Sequence, residues 1–209
     1  MNEYEQSSMR ELADRLFNEN KTRTSFSPIR DALRPATMAA GYQVQDLLNA
    51  RYIEDGRGPI AGYKVGLTSE KIRELCGVHE PIAGTVYQST VHRSPAALNL
   101  ADFVHLGIEF ELAVEIAKDI PLDATPLDAA SVRDFVAACV PAFELIEDRN
   151  ADYSDLDALS IMLDNSWCGG IVLSEAVGDW RALDFETNPV AMYLNDAFVE
   201  SGVTGDAMG

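Results

Sequence analysis

The segment Ile108-Glu109-Phe110-Glu111-Leu112-Ala113-Val114-Glu115-Ile116 alternates with a period of two. As a strand it places Glu109, Glu111 and Glu115 on one face and Ile108, Phe110, Leu112, Val114 and Ile116 on the other. The Cα atoms of Glu109 and Glu111 then lie about 7 Å apart, so both carboxylates can reach one hard cation if another segment supplies a third oxygen donor. Taken alone, the pair reads more readily as the wet face of a half-buried antiparallel strand.

A chain of 209 residues, 47% hydrophobic, can bury one good core, and nothing in it argues for a second independent domain. Its formal charge of -18 and pI near 4.3 argue against nucleic acid and anionic membranes as partners, because both repel such a surface. An anionic substrate would need a local reversal of that field, from a divalent cation or a placed lysine. Cys76, Cys139 and Cys168 lack CxxC spacing, so neither zinc nor a disulfide framework is suggested, and a reducing cytoplasm fits. The N-terminus has no basic region followed by an apolar run, and no window is apolar enough to span a bilayer.

Two amphipathic helices are expected first. One covers about Ser8 to Asn20, with Leu12, Ala13, Leu16 and Phe17 at helical spacing; the other is capped by Thr37, carries Ala40, Val44, Leu47 and Leu48, and ends near Asp55-Gly56. Gly56, Gly58 and Pro59 set a boundary, giving a helical extension over 1–59 and a main body over 60–209. The body opens with a strand from Ile60 to Leu67 carrying Lys64. Thr68 or Ser69 then caps a helix over Glu70 to Cys76, whose apolar face is Ile72, Leu75 and Cys76 and whose stop is Gly77. Val86, Val91 and Leu98 to Val104 read as short strands or loop. Asp128 predicts a helix through Val132, Phe135, Val136, Cys139 and Val140 that Pro141 ends, followed by an extended Ala142 to Glu147. Ser154 to Leu163 reads as a helix and Gly170 to Leu173 as a strand. Val190 to Leu194 and Ala197 to Ser201 form a hairpin about Asn195-Asp196.

Glu144 stands in a mostly apolar run, where an unpaired buried carboxylate would protonate or destabilise the fold, so it needs a partner. If three carboxylates converged, each would raise the others' pKa, and Mg2+ or Mn2+ would be the natural neutraliser of an all-oxygen site. Lys64, flanked by glycines, is either a surface lysine or a partly buried ammonium that holds a substrate carboxylate or moves a proton. Asp164-Asn165-Ser166 reads as a polar substrate loop or as an ordinary helix-ending turn. His79, His92 and His105 have no ligand spacing, and Glu147-Asp148-Arg149 reads as a surface ion-pair network.

Taken in order, Gly62-Tyr63-Lys64-Val65-Gly66-Leu67-Thr68-Ser69, Glu80-Pro81-Ile82-Ala83-Gly84, Gly107-Ile108-Glu109-Phe110-Glu111, Pro141-Ala142-Phe143-Glu144 and Asp164-Asn165 form an ordered set. That set resembles the 2-keto-4-pentenoate hydratase and 4-oxalocrotonate decarboxylase branch of the fumarylacetoacetate hydrolase superfamily, from about Leu12 onward. The resemblance implies an α+β fold, a mixed β-sheet rolled into a partly open barrel behind an N-terminal helical extension. It implies Mg2+ or Mn2+ held by Glu109, Glu111 and Glu144, with Lys64 binding substrate and moving protons. The activity implied is that of a lyase in aromatic catabolism, adding water to a small 2-oxo or 2-hydroxydienoic acid in a cytoplasmic homo-oligomer. Asn165 and Ser166 are the candidate substrate-binding residues beside Lys64.

Two departures qualify this expectation. Hydratases of the branch usually carry an acid where this chain has Ile82; Glu80 is the candidate to take that role, unless the reaction needs no such base, as in the related decarboxylases. Gly205-Asp206-Ala207-Met208-Gly209 resembles a point from which relatives continue, which suggests a catalytic domain truncated at its C-terminus. Decarboxylation of a 2-oxo acid and non-catalytic metal or ligand binding are the alternative readings.

Overall fold

Thr37 starts the second helix as expected: its side-chain oxygen accepts from the Ala40 N–H at 3.1 Å, which satisfies an otherwise orphaned donor. This computed structural model describes residues 3–121, 123 and 126–206. Helix α1 spans Glu3–Lys21, longer than its apolar stripe, and packs against α2, Met38–Tyr52. A wider turn over Ile53–Arg57, with Gly56 at φ 96°, ends the helical run where the glycines were expected to break it.

One hydrophobic cluster crosses that break. Leu12, Leu16, Val44 and Leu48 pack with Ile82, Tyr87, Ile146, Met162 and Leu163 from the rest of the chain. Burying such side chains is worth roughly 1.5–3 kcal/mol each, so the helices are held by the body and not by their own propensity.

Strand β1 (Ile60–Gly66) pairs antiparallel with β2 (Ile82–Tyr87), placing Lys64 opposite Gly84 and Gly66 opposite Ile82. Between them, α3 (Glu70–Leu75) is capped by Ser69, whose oxygen accepts from Ile72 N–H at 3.3 Å, and Gly77 closes it at φ 70°. The expected apolar face of α3 is at the surface, with Leu75 67% exposed. Six residues give fewer than two turns. The segment is instead held by Arg73, which donates to the carbonyls of Leu67 and Thr68.

The central sheet is mixed. Its order is β3 (Val91–Arg93), β6 (Cys168–Leu173), β5 (Val136–Glu147), β4 (Leu106–Ile116), with β3 and β6 parallel and the other pairs antiparallel. The helix expected from Asp128 to Val140 is not formed. A short 3-10 turn over Ser131–Phe135 passes into β5, and Pro141 sits inside that strand opposite Leu112. The β-branched Val136 and Val140 pair with Ile116 and Ala113 of β4, across a bulge between Glu115 and Ile116, and tertiary pairing overrides the helical spacing. Proline is tolerated there because its carbonyl, accepting from Ser174 N–H, faces the side where β6 has already ended, so no ladder donor is missed. Helix α4 (Ala158–Leu163) is shorter than its sequence pattern, since Asp157 caps it.

The hairpin β7 (Pro189–Leu194) and β8 (Ala197–Val203) forms about Asn195 and Asp196, both at positive φ as a two-residue turn of the primed type requires. Among the described residues no helix is long and apolar enough to cross a membrane.

Candidate metal centre

The register of β4 on β5 puts Glu109 directly opposite Glu144, and Glu111 lies two residues along on the same face. Carboxylate oxygens of Glu109, Glu111 and Glu144 lie within 4.8 Å of one another, running from exposed through intermediate to buried. Glu144 is only 4% exposed. The third donor that the strand pattern required comes from the neighbouring strand.

Lys64 reaches this cluster from β1. Its ammonium lies 2.9 Å from Glu144 Oε1 and donates to the Ser166 carbonyl at 3.2 Å. The approach to Oε1 has an ion-pair distance but lacks hydrogen-bond alignment, leaving that oxygen buried without a hydrogen bond. Burial pushes Glu144 up to about 7; Lys64 pulls it down, and Glu109 and Glu111 add to the rise. Burial likewise raises Glu111, with Glu109 contributing and Lys64 opposing.

This donor set fits a divalent cation. Three carboxylates against one ammonium leave two negative charges when all are ionised, which a dication cancels. The ligands are all hard oxygens, and the best buried of them has an unsatisfied lone pair.

Lys64 is positioned by an unusual loop. Asn165, Ser166 and Trp167 are consecutive residues at positive φ, 53°, 51° and 57°. Asn165 holds the run against β2 with both ends of its amide: Oδ1 accepts from Thr85 N–H at 2.6 Å, and Nδ2 donates to Thr85 O at 2.9 Å. Ser166 Oγ donates to Ala83 O at 2.8 Å. From the other direction, α2 supplies Tyr42 and Gln45 to the peptide groups of Ala83. The free edge of β2 is therefore satisfied by side chains, and the Ser166 carbonyl is presented to Lys64. Gly84 is needed for this approach, because a Cβ there would stand 2.5 Å from the Asn165 carbonyl oxygen.

The side chains of Asn165 and Ser166 are thus committed to β2, and it is a backbone carbonyl of this segment that faces the site. Glu80 lies exposed just before β2 and makes no ion pair among the described residues. Ile82, 1% exposed, borders Lys64: a Cβ on Gly66 would touch both Ile82 Cγ1 and Lys64 Nζ. Glu147-Asp148-Arg149 is not the surface network expected. Asp148 and Arg149 are buried, Arg149 pairs with Asp164 at 2.7 Å, and Glu147 accepts from the backbone N–H groups of Val104 and His105. Charge density alone hid this; Asn150, a residue type that tolerates the left-handed conformation found at Arg149-Asn150, was the available signal of a tight turn after the strand. Cys168 was also missed as a neighbour of the site. Burial first, then Glu144, pushes its thiol up to about 12, which keeps it unreactive.

Comparison with known proteins agrees with the motif order. The chain is 26% identical over 203 residues to the TodF product hydratase of Pseudomonas putida, covering 96% of this chain and 74% of that protein. It is 24% identical over 200 residues to a 2-hydroxypent-2,4-dienoate hydratase of Pseudomonas putida, covering 95% and 88%. The solved 4-oxalocrotonate decarboxylase from Pseudomonas putida G7, complexed with magnesium and adipate, superposes with a TM-score of 0.87 at 23% identity, over 98% of this chain and 76% of that one. These relatives support the resemblance to the 2-keto-4-pentenoate hydratase and 4-oxalocrotonate decarboxylase branch of the fumarylacetoacetate hydrolase superfamily. No family model matches the chain. The chain shares the fold of that solved structure, and the α+β expectation holds. In this fold the mixed sheet carries the carboxylates while the β1–β2 pair carries the lysine.

Proposed function

We propose that the protein is a divalent-metal-dependent lyase that hydrates a small 2-hydroxydienoic or 2-oxo acid of the 2-keto-4-pentenoate type. The observation that carries this reading is the cluster of Glu109, Glu111 and Glu144 with Lys64 at 2.9 Å from Glu144. Hydratases among the relatives support the reaction class. Glu109, Glu111 and Glu144 would hold Mg2+ or Mn2+, and the relative solved with magnesium supports a divalent ion.

When bound, such an ion supplies a Lewis acid where negative charge develops on a 2-oxo acid. The chain's own residues do the rest. Lys64, pinned between Glu144 and the Ser166 carbonyl, presents N–H donors to a substrate carboxylate and holds a proton for transfer to carbon. Addition of water forms one C–O and one C–H bond at the expense of the C=C bond, so a proton donor and a water-activating group are both required. Lys64 supplies the first. Glu80, exposed ahead of β2, is the candidate for the second. Asn165 and Ser166 contribute by fixing the carbonyl that orients Lys64.

A second reading is decarboxylation of a vinylogous 2-oxo acid at the same centre. It is favoured by the apolar Ile82 beside Lys64, where hydratases of the branch usually carry an acid. Incubation with 2-hydroxypenta-2,4-dienoate and with 4-oxalocrotonate, each with Mg2+, with Mn2+ and with a chelator, tests both. Metal-dependent loss of the dienoate absorbance supports hydration, CO2 release supports decarboxylation, and neither with any metal refutes the enzyme. We further propose a homo-oligomer acting in the cytoplasm. The apolar face of β4 and β5, where Ile108, Val114, Ile116 and Phe143 stand exposed, supports association.

A further inference from the structure

A second cavity, of about 310 Å3, opens where the end of α1, the turn after α2 and the 164–169 segment meet. Asn165 and Cys168 border it, but none of Lys64, Glu109, Glu111, Glu144 or Ser166 lines it, so it is distinct from the proposed metal centre. We infer that it is a binding site for a small aromatic monocarboxylate, received by Arg57 and Arg23. This inference does not depend on the proposed lyase activity.

The chain has 34 acidic residues to 16 basic ones, yet Arg57 at this cavity has no acidic partner among the described residues. Its guanidinium carbon stands over Tyr52, 3.8 Å from the ring centroid, and 5.6 Å from that of Tyr87. These contacts hold the head group against the aromatic wall, while its N–H fork makes no hydrogen bond among the described residues. That fork matches the two oxygens of a carboxylate. The Arg23 side chain donates one N–H to the Ala101 carbonyl and makes no other hydrogen bond or ion pair among the described residues.

Two of the three acids in the wall are already engaged: Asp164 is matched by Arg149, and Glu147 accepts from the backbone N–H groups of Val104, His105 and Arg149. Arg23, Arg57 and Arg149 balance Asp102, Glu147 and Asp164 in number, so the positive charge is local to the unpaired Arg57, and a monoanion is repelled less by the wall than a dianion. Two of the lining residues, Arg149 and Trp167, also keep buried N–H donors with no acceptor, Arg149 Nε and Trp167 Nε1. Buried donors of that kind destabilise a fold unless something accepts from them. Phe103, Tyr52 and Trp167 provide aromatic surface for the body of the ligand, and the volume falls at the lower end of the ~300–1000 Å3 typical of small-molecule sites.

The test uses the full chain stripped of metal by a chelator, with benzoate as probe and benzamide as its neutral isostere. The indole N–H resonance of Trp167, assigned by triple-resonance NMR, is the readout. A saturable shift with benzoate, at least tenfold weaker with benzamide and in Arg57→Gln and at least threefold weaker in Arg23→Gln, is expected, whereas Lys64→Met leaves it unchanged. Absence of a saturable shift overturns the site, and so does equal affinity in both arginine variants. Loss of binding in Lys64→Met places the anion at the lysine and also overturns it. Inorganic phosphate binding as tightly as benzoate overturns the monocarboxylate class. Should Arg57→Gln fail to fold, Arg23→Gln decides alone.

Discussion

Lys64 Nζ stands 2.9 Å from Glu144 Oε1, an ammonium and a carboxylate with side chains only 12% and 5% exposed that have no other charged partner of opposite sign within salt-bridge distance among the described residues. The pair joins two separate sheets, and removal of either member has a sign that can be worked out in advance.

Lys64→Met removes the positive charge that competes with a bound cation for the three carboxylates. Mg2+ affinity is expected to rise while turnover falls by roughly 10²–10⁴-fold, the usual worth of a positioned proton-transfer group. Calorimetric titration beside steady-state assay checks the split. A variant that was merely misfolded would lose both.

Glu144→Gln removes a buried acid whose pKa has been pushed up to about 7 by burial. Between the ordinary value of 4.5 and about 7, the native state holds a proton that the unfolded chain releases, so metal-free stability falls as pH rises through that window. The variant is expected to flatten this slope and to melt a few degrees higher without metal at pH 7.5, on the order of 1–3 kcal/mol. It is also expected to lose the stabilisation that Mg2+ gives the unmodified protein. Melting curves from pH 5 to 8, with and without Mg2+, measure all three effects.

Asp157 titrates in the opposite sense. Burial raises its pKa, but the bonds from Arg34 and Ser160 outweigh that and hold it at about 2, below its ordinary 3.8. Its stabilising contribution is present above 3.8 and is lost as pH falls toward 2. Asp157→Asn keeps a side-chain oxygen at the helix N-terminus but forfeits the ion pair, so its acid denaturation below pH 4 is expected to be shallower, as circular dichroism would show.

Gly84→Ala would drive a methyl group to within 2.5 Å of the Asn165 carbonyl oxygen, which is backbone and cannot swing aside. A loss of roughly 1–3 kcal/mol is expected from overpacking. The displaced 165–167 segment carries the carbonyl that Lys64 meets, so activity should fall further than stability alone explains. Denaturant unfolding and assay at saturating Mg2+ separate the two.

The candidate site was legible where side-chain period and backbone geometry agree. Glu109 and Glu111 on β4 follow from strict alternation, and the Asn195-Asp196 hairpin follows from residues that tolerate positive φ. Glu144 was legible as an acid out of place, although its alignment with Glu109 depends on strand register, which no local pattern encodes. The run from Val132 to Val140 misled because its spacing suits a helix while its position between two strands makes it sheet. Asn165 and Ser166 showed polarity without direction: only the fold reveals that their side chains bind β2 and that a main-chain oxygen faces the lysine.

The left-handed run Asn165-Ser166-Trp167 sets these residues at backbone angles that L-amino acids disfavour, at roughly 1–3 kcal/mol each. It behaves as a cocked latch. The Asn165 amide is its catch, so Asn165→Ala should let the backbone spring back to an ordinary turn and withdraw the oxygen from Lys64 in one step. The lysine would then swing loose while the three carboxylates, on a sheet that does not move, kept their mutual spacing.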